Sequence, residues 1–265
     1  MSAKNDENKP TDLSIKTFLK HFFVESFHID DRISKTLYTL LFKPGQLTAA
    51  YFNSAGKNYI QPLKLYFAIN FVFFLVTPIL NTSQTQVFNF NMKSIIGSNK
   101  TYQRMIDKQI RNSGVSEKIY EERFNAHLKY NQPAFVFFIV PFFALILNII
   151  NFRSKQYYVE HLFFSIHFLS FFLISLLVFI SSFRALKFVF DFFSVSFDLM
   201  AIIMIVVLFA LFIAYLAVAT KSYYGNRLFV SILKSPFFFL GFILTFGSYI
   251  QFLFFYNMLA LKWGY

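Results

Sequence analysis

Cysteine is absent from this 265-residue chain, which excludes disulfides, thiolate zinc sites, iron–sulfur clusters and cysteine nucleophiles at once. Charge is scarce too. Asp, Glu, Lys and Arg make up 14% of residues, against about 25% in an ordinary soluble domain, so the surface of a soluble globule this size could not be wetted. Glycine (8) and proline (7) are too few for a collagen-like or low-complexity chain. Acidic residues number only 13, none follows Asp198, and Glu160 is the only one between Gln132 and Phe190. Signature motifs are missing as well: no G-x-S-x-G or S-x-x-K nucleophile, no G-x-G-x-x-G or G-x-x-x-x-G-K phosphate loop, and no H-E-x-x-H.

What is present is apolar. Hydrophobic residues are 56% of the chain, Phe alone accounts for 42, and the mean hydropathy is +0.51. The predicted fold is all-α, a polytopic helical membrane protein with about five transmembrane helices and amphipathic interfacial helices. A bilayer core of roughly 30 Å needs about 20 helical residues. Five uncharged runs qualify: Leu65–Leu80, Pro133–Ile150, Leu162–Ser182, Leu199–Ala219 and Ser235–Leu261. They are apolar on every side, so they read as helices and not as alternating barrel strands. Pro141 is expected to kink the second run, because it removes an amide donor. Gly241 and Gly247, six apart, form no small-xxx-small seam and suggest two separate close approaches. Phe lies on all faces of every run, which fits lipid contact and helix packing better than a ligand cavity.

The remaining segments divide into a predicted N-terminal amphipathic helical unit, residues 1–62, and a transmembrane bundle, residues 63–265, with a polar helical loop at 81–132. Thr11-Asp12 is placed to cap one helix, and a second is predicted over Ile33–Phe42, ending at Lys43-Pro44-Gly45. The polar loop reads as a helical hairpin, Tyr102–Arg111 and Val115–Lys129. Over residues 183–198, Arg184, Lys187, Asp191, Ser194 and Asp198 share one face, which predicts an in-plane helix joining the third and fourth runs. With no leader-like segment at the start, the run after Leu63 is expected to act as an uncleaved insertion signal.

The net charge of +12 is assigned to topology and anionic lipid, not to nucleic acid, since no nucleic-acid motif accompanies it. With the N-terminus inside, inner segments hold 14 Lys and Arg and outer segments 11, so the N-terminus is expected to be cytoplasmic.

Glu160-His161-Leu-Phe-Phe-Ser-Ile-His167 is the candidate polar site, at the head of the third run. Glu160 and His167 are two turns apart on one face, His161 is one step off it, and Ser165 is placed to bond near His161. Such groups suit a proton relay, cation or substrate contact. Structure is the favoured reading for Glu160, beside the open amides of a first turn, and for His161, while for His167, which could bond a neighbouring helix, the two readings stand level. With two or three ligands on one helix and no second set, no metal site and no cofactor is implied. Asn70 and Gln251 are the best candidates among the span polar residues for an interhelical bond.

Leu41-Phe-Lys-Pro44-Gly45, then Gly56-Lys57-Asn-Tyr59-Ile-Gln-Pro62-Leu-Lys-Leu-Tyr66, resembles the front of an uncharacterised bacterial membrane family classed only as a domain of unknown function. Pro141-Phe-Phe-Ala-Leu145, Tyr157-Tyr158-Val-Glu160-His161…His167, and Tyr223-Tyr224-Gly225 followed by Lys234 carry the resemblance onward, across about residues 13–240. Members often begin with a cysteine-rich zinc ribbon, which this chain lacks. The resemblance implies a location in a bacterial inner membrane and no reaction. The favoured function is a non-enzymatic envelope scaffold or accessory protein, with membrane lipids and a membrane or envelope protein as partners. The alternatives are a small transporter or channel using Glu160, His161 and His167, or an enzyme acting on lipid or isoprenoid, which needs a second acid or histidine beside Glu160.

Overall fold

The computed structural model describes residues 31–53, 55–80, 91–97, 99–193 and 196–263. Among them there is no strand. The chain forms α1 (Asp31–Phe42), α2 (Gln46–Phe52), a short 3-10 turn (Ala55–Asn58), α3 (Pro62–Leu80), α4 (Met92–Ile96), α5 (Lys100–Ser113), α6 (Glu117–Phe135), a second 3-10 turn (Val136–Phe138), α7 (Ile139–Ile150), α8 (Tyr158–Phe192), α9 (Asp198–Tyr224) and α10 (Leu228–Trp263). Five stretches are long and apolar enough to cross a membrane: Ala55–Leu80, Glu117–Ile150, Tyr158–Phe192, Asp198–Tyr224 and Leu228–Lys262. They contain the five runs predicted above. The expected helix capped at Thr11-Asp12 lies outside the described residues.

Two boundaries differ from expectation. The polar hairpin is present as α5 and α6, with Asn99 and Ser116 side chains capping the two starts and Gly114 (φ 67°) ending α5. Its second arm does not stop outside the bundle, however: α6 runs into the second span. The predicted in-plane helix over 183–198 is not a separate element either. Residues 183–192 continue α8, which has neither glycine nor proline to stop it over 35 residues. Of the predicted polar face, Arg184, Lys187 and Asp191 lie on α8, Asp198 opens α9, and Ser194 lies outside the described residues. Arg184 donates to the carbonyls of Ile79 and Leu80 at 2.9 and 2.8 Å, closing the open end of α3, and Lys187 pairs with Asp191.

Proline chemistry explains the break in the second span. Pro141 has no amide to offer Phe137, and the 3-10 turn over Val136–Phe138 falls at that missing bond.

α8 is the hub. About 72% of its most apolar window is buried, against 22% for α3 and for α9. It is apolar on every side and packs against α3 and α7 along its length. α10 covers α9, α7 and α6. Rings fill the centre: Phe143, Phe168, Phe172 and Phe242 contact one another, and Phe171 stacks on Tyr215. The outer faces of α3 and α9 expose Phe67, Phe71, Leu75, Ile202, Val206 and Val207 among others, as lipid-facing surfaces should.

Most polar residues of the spans bond to their own preceding turn, as Ser170, Thr220, Thr245 and Ser248 do. Asn70 makes the expected interhelical bond, to the Pro133 carbonyl at 2.9 Å, and Asn131 bonds Asn257 at 2.9 Å between α6 and α10. Gln251 does not; it lies exposed on α10. Of the two glycines, only Gly241 is a close approach. A Cβ built there falls 2.5 Å from Ile146 Cγ2, whereas at Gly247 nothing lies within 4 Å. Gly241→Ala is therefore expected to lower the melting temperature in detergent by the equivalent of ~1–3 kcal/mol of overpacking. Gly247→Ala should leave it unchanged, and adding Ile146→Ala to the first variant should restore part of the loss.

Candidate functional site

The two ends of the bundle differ in construction. One carries α4–α6 and the tail of α8. The other gathers α1, α2, the first 3-10 turn, the start of α3, the loop 151–157, the start of α8 and the α9–α10 connection. All three predicted polar residues lie at this second end.

The cap is built first by a turn. Pro44 cannot continue α1, and Gly45 takes φ 81°, a conformation in which a Cβ is strained. The reversal lays α2 against α8 and α9, with Leu47 and Thr48 of α2, like Thr36, Thr39 and Leu40 of α1, turned inward and buried. Gly45 rests directly on α9: a Cβ there would sit 2.4 Å from the Ala219 carbonyl oxygen. Tyr215 fastens the same contact by donating to the Leu40 carbonyl at 2.8 Å. Gly56 also lies close to Tyr51: a Cβ built there would sit 2.9 Å from its ring. The Tyr51 hydroxyl donates to the Ile60 carbonyl, and burial pushes this phenol up to about 12, so it is a permanent donor at neutral pH.

Glu160, His161 and His167 lie on one helix, α8, yet none bonds another. Half-buried Glu160 receives the Tyr157 amide at 3.2 Å across the first turn, the structural use anticipated for a carboxylate there, and the Tyr223 hydroxyl from the end of α9. His161 is fully buried; its Nδ1 lies 2.6 Å from the Tyr224 hydroxyl, and the two rings stack. His167, 3% exposed, places Nδ1 2.8 Å from Thr48 Oγ1 of α2, with the Tyr51 ring beside it. Adjacent residues of α8 thus pair with adjacent residues of α9, while the face shared by Glu160 and His167 looks toward the cap, where Phe52 contacts both Phe163 and Tyr223. The expected bond from Ser165 to His161 does not form. Ser165 Oγ, His161 Nε2 and His167 Nε2 are buried without a hydrogen-bonding partner.

The other motif residues collect at the same end. Tyr158 donates to the Pro141 carbonyl at 2.9 Å, Lys234 donates to Asn151 Oδ1 at 3.1 Å, and Gly225 (φ 67°) ends α9. Lys35 lies over the Tyr59 ring, Pro62 opens α3 and is buried, and Lys57 is exposed. Two residues that sequence reasoning did not single out, Thr48 and Tyr223, supply partners to the candidate site. Tyr223 stood inside a quoted motif, but Thr48 is one polar residue in a short helix, and only the packing of α2 reveals its role.

No group of three or more His, Asp or Glu side chains placed to hold a metal occurs among the described residues. Asp191 and Asp198 stand at the opposite end, so neither is the second acid that an enzyme built around Glu160 would need.

A family model described as "Protein of unknown function (DUF3667)" matches residues 30–74, which is α1, α2, the 3-10 turn and most of α3. No curated protein and no solved structure matches the chain. The match covers the cap and its junction with the first span, the part that packs onto the head of α8. The structure is a helical bundle with five candidate membrane spans, and the segment that caps it is similar to a family of unknown function.

Proposed function

We propose that the chain is a non-enzymatic accessory or scaffold protein of a bacterial inner membrane, with the capped end in the cytoplasm. In this reading His167 fastens the amphipathic N-terminal segment to the spans through Thr48, and Glu160 and His161 fix the end of α9 beside it. One observation carries the reading: each of the three is bonded to a hydroxyl of another element (Tyr223, Tyr224 and Thr48), and one of those elements is the cap itself. A bond between a buried polar pair contributes about 1 kcal/mol, but leaving one member unpaired costs about 1–3 kcal/mol. The Thr48–His167 pair therefore acts chiefly by making any other placement of the cap costly, and the two tyrosine pairs do the same for the end of α9. The fixed cap is the surface offered to a membrane or envelope partner.

The test compares folding with biological activity. Glu160→Gln and His167→Gln are expected to lower folded yield in detergent, and complementation of a chromosomal deletion should fall in proportion. Full yield with lost complementation would overturn the reading.

A second reading, a small transporter, draws on a specific observation: the Nε2 atoms of His161 and His167 are buried and unpartnered. Its test is proton flux into proteoliposomes followed with a pH-sensitive dye. The fastener reading expects flux equal to that of empty vesicles. Flux that disappears in His167→Gln would favour transport.

A further inference from the structure

The capped end also has an outward surface, and among the described residues its exposed charge is mostly positive. Its segments 31–64, 151–160 and 220–234 hold ten Lys and Arg against two carboxylates, Asp31 and Glu160. Nine of the ten cations are exposed. Glu160 is held by Tyr157 and Tyr223. The opposite end is mixed, with eleven Lys and Arg against six carboxylates over 81–132, 183–198 and 261–265. Both ion pairs found among the described residues, Lys93–Glu121 and Lys187–Asp191, belong to that mixed end. The cations of the capped end thus face outward without ion-pair partners among the described carboxylates.

α1 concentrates the pattern. Its inward face is Thr36, Thr39 and Leu40. Its outward face carries Arg32, Lys35, Tyr38 and Phe42, with Lys43 just beyond. Tyr38 and Phe42 are 54% and 69% exposed, form a ring pair at 5.3 Å, and have the Lys43 ammonium over the Tyr38 ring at 5.5 Å. Rings presented in this way are poorly placed in water, yet they suit the headgroup level of a bilayer, where aromatic rings and lysines are enriched. Only α2 and the first 3-10 turn lie between this helix and α3, the first span, so headgroups are within its reach.

We propose that the outward face of α1, formed by Arg32, Lys35, Tyr38, Phe42 and Lys43, docks on anionic phospholipid headgroups, the cations meeting the phosphates and the ring pair entering the interface. This adds a lipid partner to the cap and holds whether or not Glu160 and the histidines are fasteners.

The experiment uses the full chain in neutral detergent micelles containing equal phosphatidylglycerol and phosphatidylcholine, with retained lipids counted by mass spectrometry. The unsubstituted chain should retain phosphatidylglycerol preferentially. The triple variant Arg32→Gln/Lys35→Gln/Lys43→Gln should lose that preference by about tenfold or more, since each cation near an anionic surface is worth roughly fivefold. Lys108→Gln/Arg111→Gln/Lys118→Gln at the opposite end should leave it unchanged, and the charge-keeping Arg32→Lys/Lys35→Arg/Lys43→Arg should retain it. Raising salt on the unsubstituted chain should produce the same loss with no substitution at all. Equal retention by the unsubstituted chain and the glutamine triple would overturn the proposal. So would an equal loss in the opposite-end triple, or displacement of the lipid by an equimolar oligonucleotide or polyglutamate, which would make a soluble polyanion the partner.

Discussion

Gly45→Ala is expected to release the cap. The added methyl would meet the Ala219 carbonyl oxygen at 2.4 Å, and that oxygen belongs to helix backbone, not to a side chain able to swing away. The residue would also have to hold φ 81°, which costs a non-glycine residue roughly 1–2 kcal/mol. Overpacking adds about 1–3 kcal/mol, so a total near 3 kcal/mol falls on a contact fastened otherwise by Tyr215 and the Thr48–His167 pair. Limited trypsin digestion should then cut readily after Arg32 or Lys35, and the melting temperature in detergent should drop. Gly225→Ala separates the two costs. It shares the positive φ (67°) but has nothing within 4 Å of its built Cβ, so only the conformational part, about 1 kcal/mol, should appear. Equal effects of the two substitutions would mean that Gly45 does not sit on α9.

The second large effect concerns Thr48 and His167. Thr48→Val keeps shape and removes the hydroxyl, leaving Nδ1 of a 3% exposed ring without a partner, when Nε2 already lacks one. About 2 kcal/mol of destabilisation is expected. His167→Leu should cost a similar amount through the stranded threonine hydroxyl and lost contact with the Tyr51 ring. The double variant should cost clearly less than the sum, with a coupling of about 1 kcal/mol or more read from thermal unfolding, because removing both members of a buried pair leaves nothing unsatisfied. Strict additivity would show that the pair is not formed.

Much of this architecture could be read before any coordinates, for a physical reason. Lipid imposes a length and forbids charge, and Leu199–Ala219 or Ser235–Leu261 meets both conditions in plain sequence. The turn at Lys43-Pro44-Gly45 was legible for an equally local reason. The two boundaries that differ do so for different reasons: α8 extends to Phe192 because no breaker separates its apolar and amphipathic parts, whereas α6 runs through Pro133, the residue that marks the start of the second run in sequence. Hydropathy changes there while helical geometry does not.

The candidate site was legible by one half. Glu160, His161 and His167 stood out because ionisable groups are rare near an apolar run. Their partners did not. A threonine 119 residues before His167 and a tyrosine 63 residues after Glu160 are ordinary residues in their own helices, and only the tertiary packing of α2 and α9 on α8 makes them partners. The same holds for Gln251 and Asn257. Both are polar residues in the fifth span, but the packing of α6 gives a partner to Asn257 and leaves Gln251 exposed.

Because the chain has no cysteine, topology can be mapped with single cysteines and a membrane-impermeant maleimide on intact cells and on inverted vesicles. Five crossings predict that Lys57→Cys, Lys155→Cys and Arg227→Cys label from one side, which the proposed orientation makes the cytoplasmic one, and that Lys108→Cys, Asp191→Cys and Lys262→Cys label from the other. Labelling of any member of one set from the same side as the other set would contradict the five-span arrangement on which the cap, the fasteners and the lipid-facing surface depend.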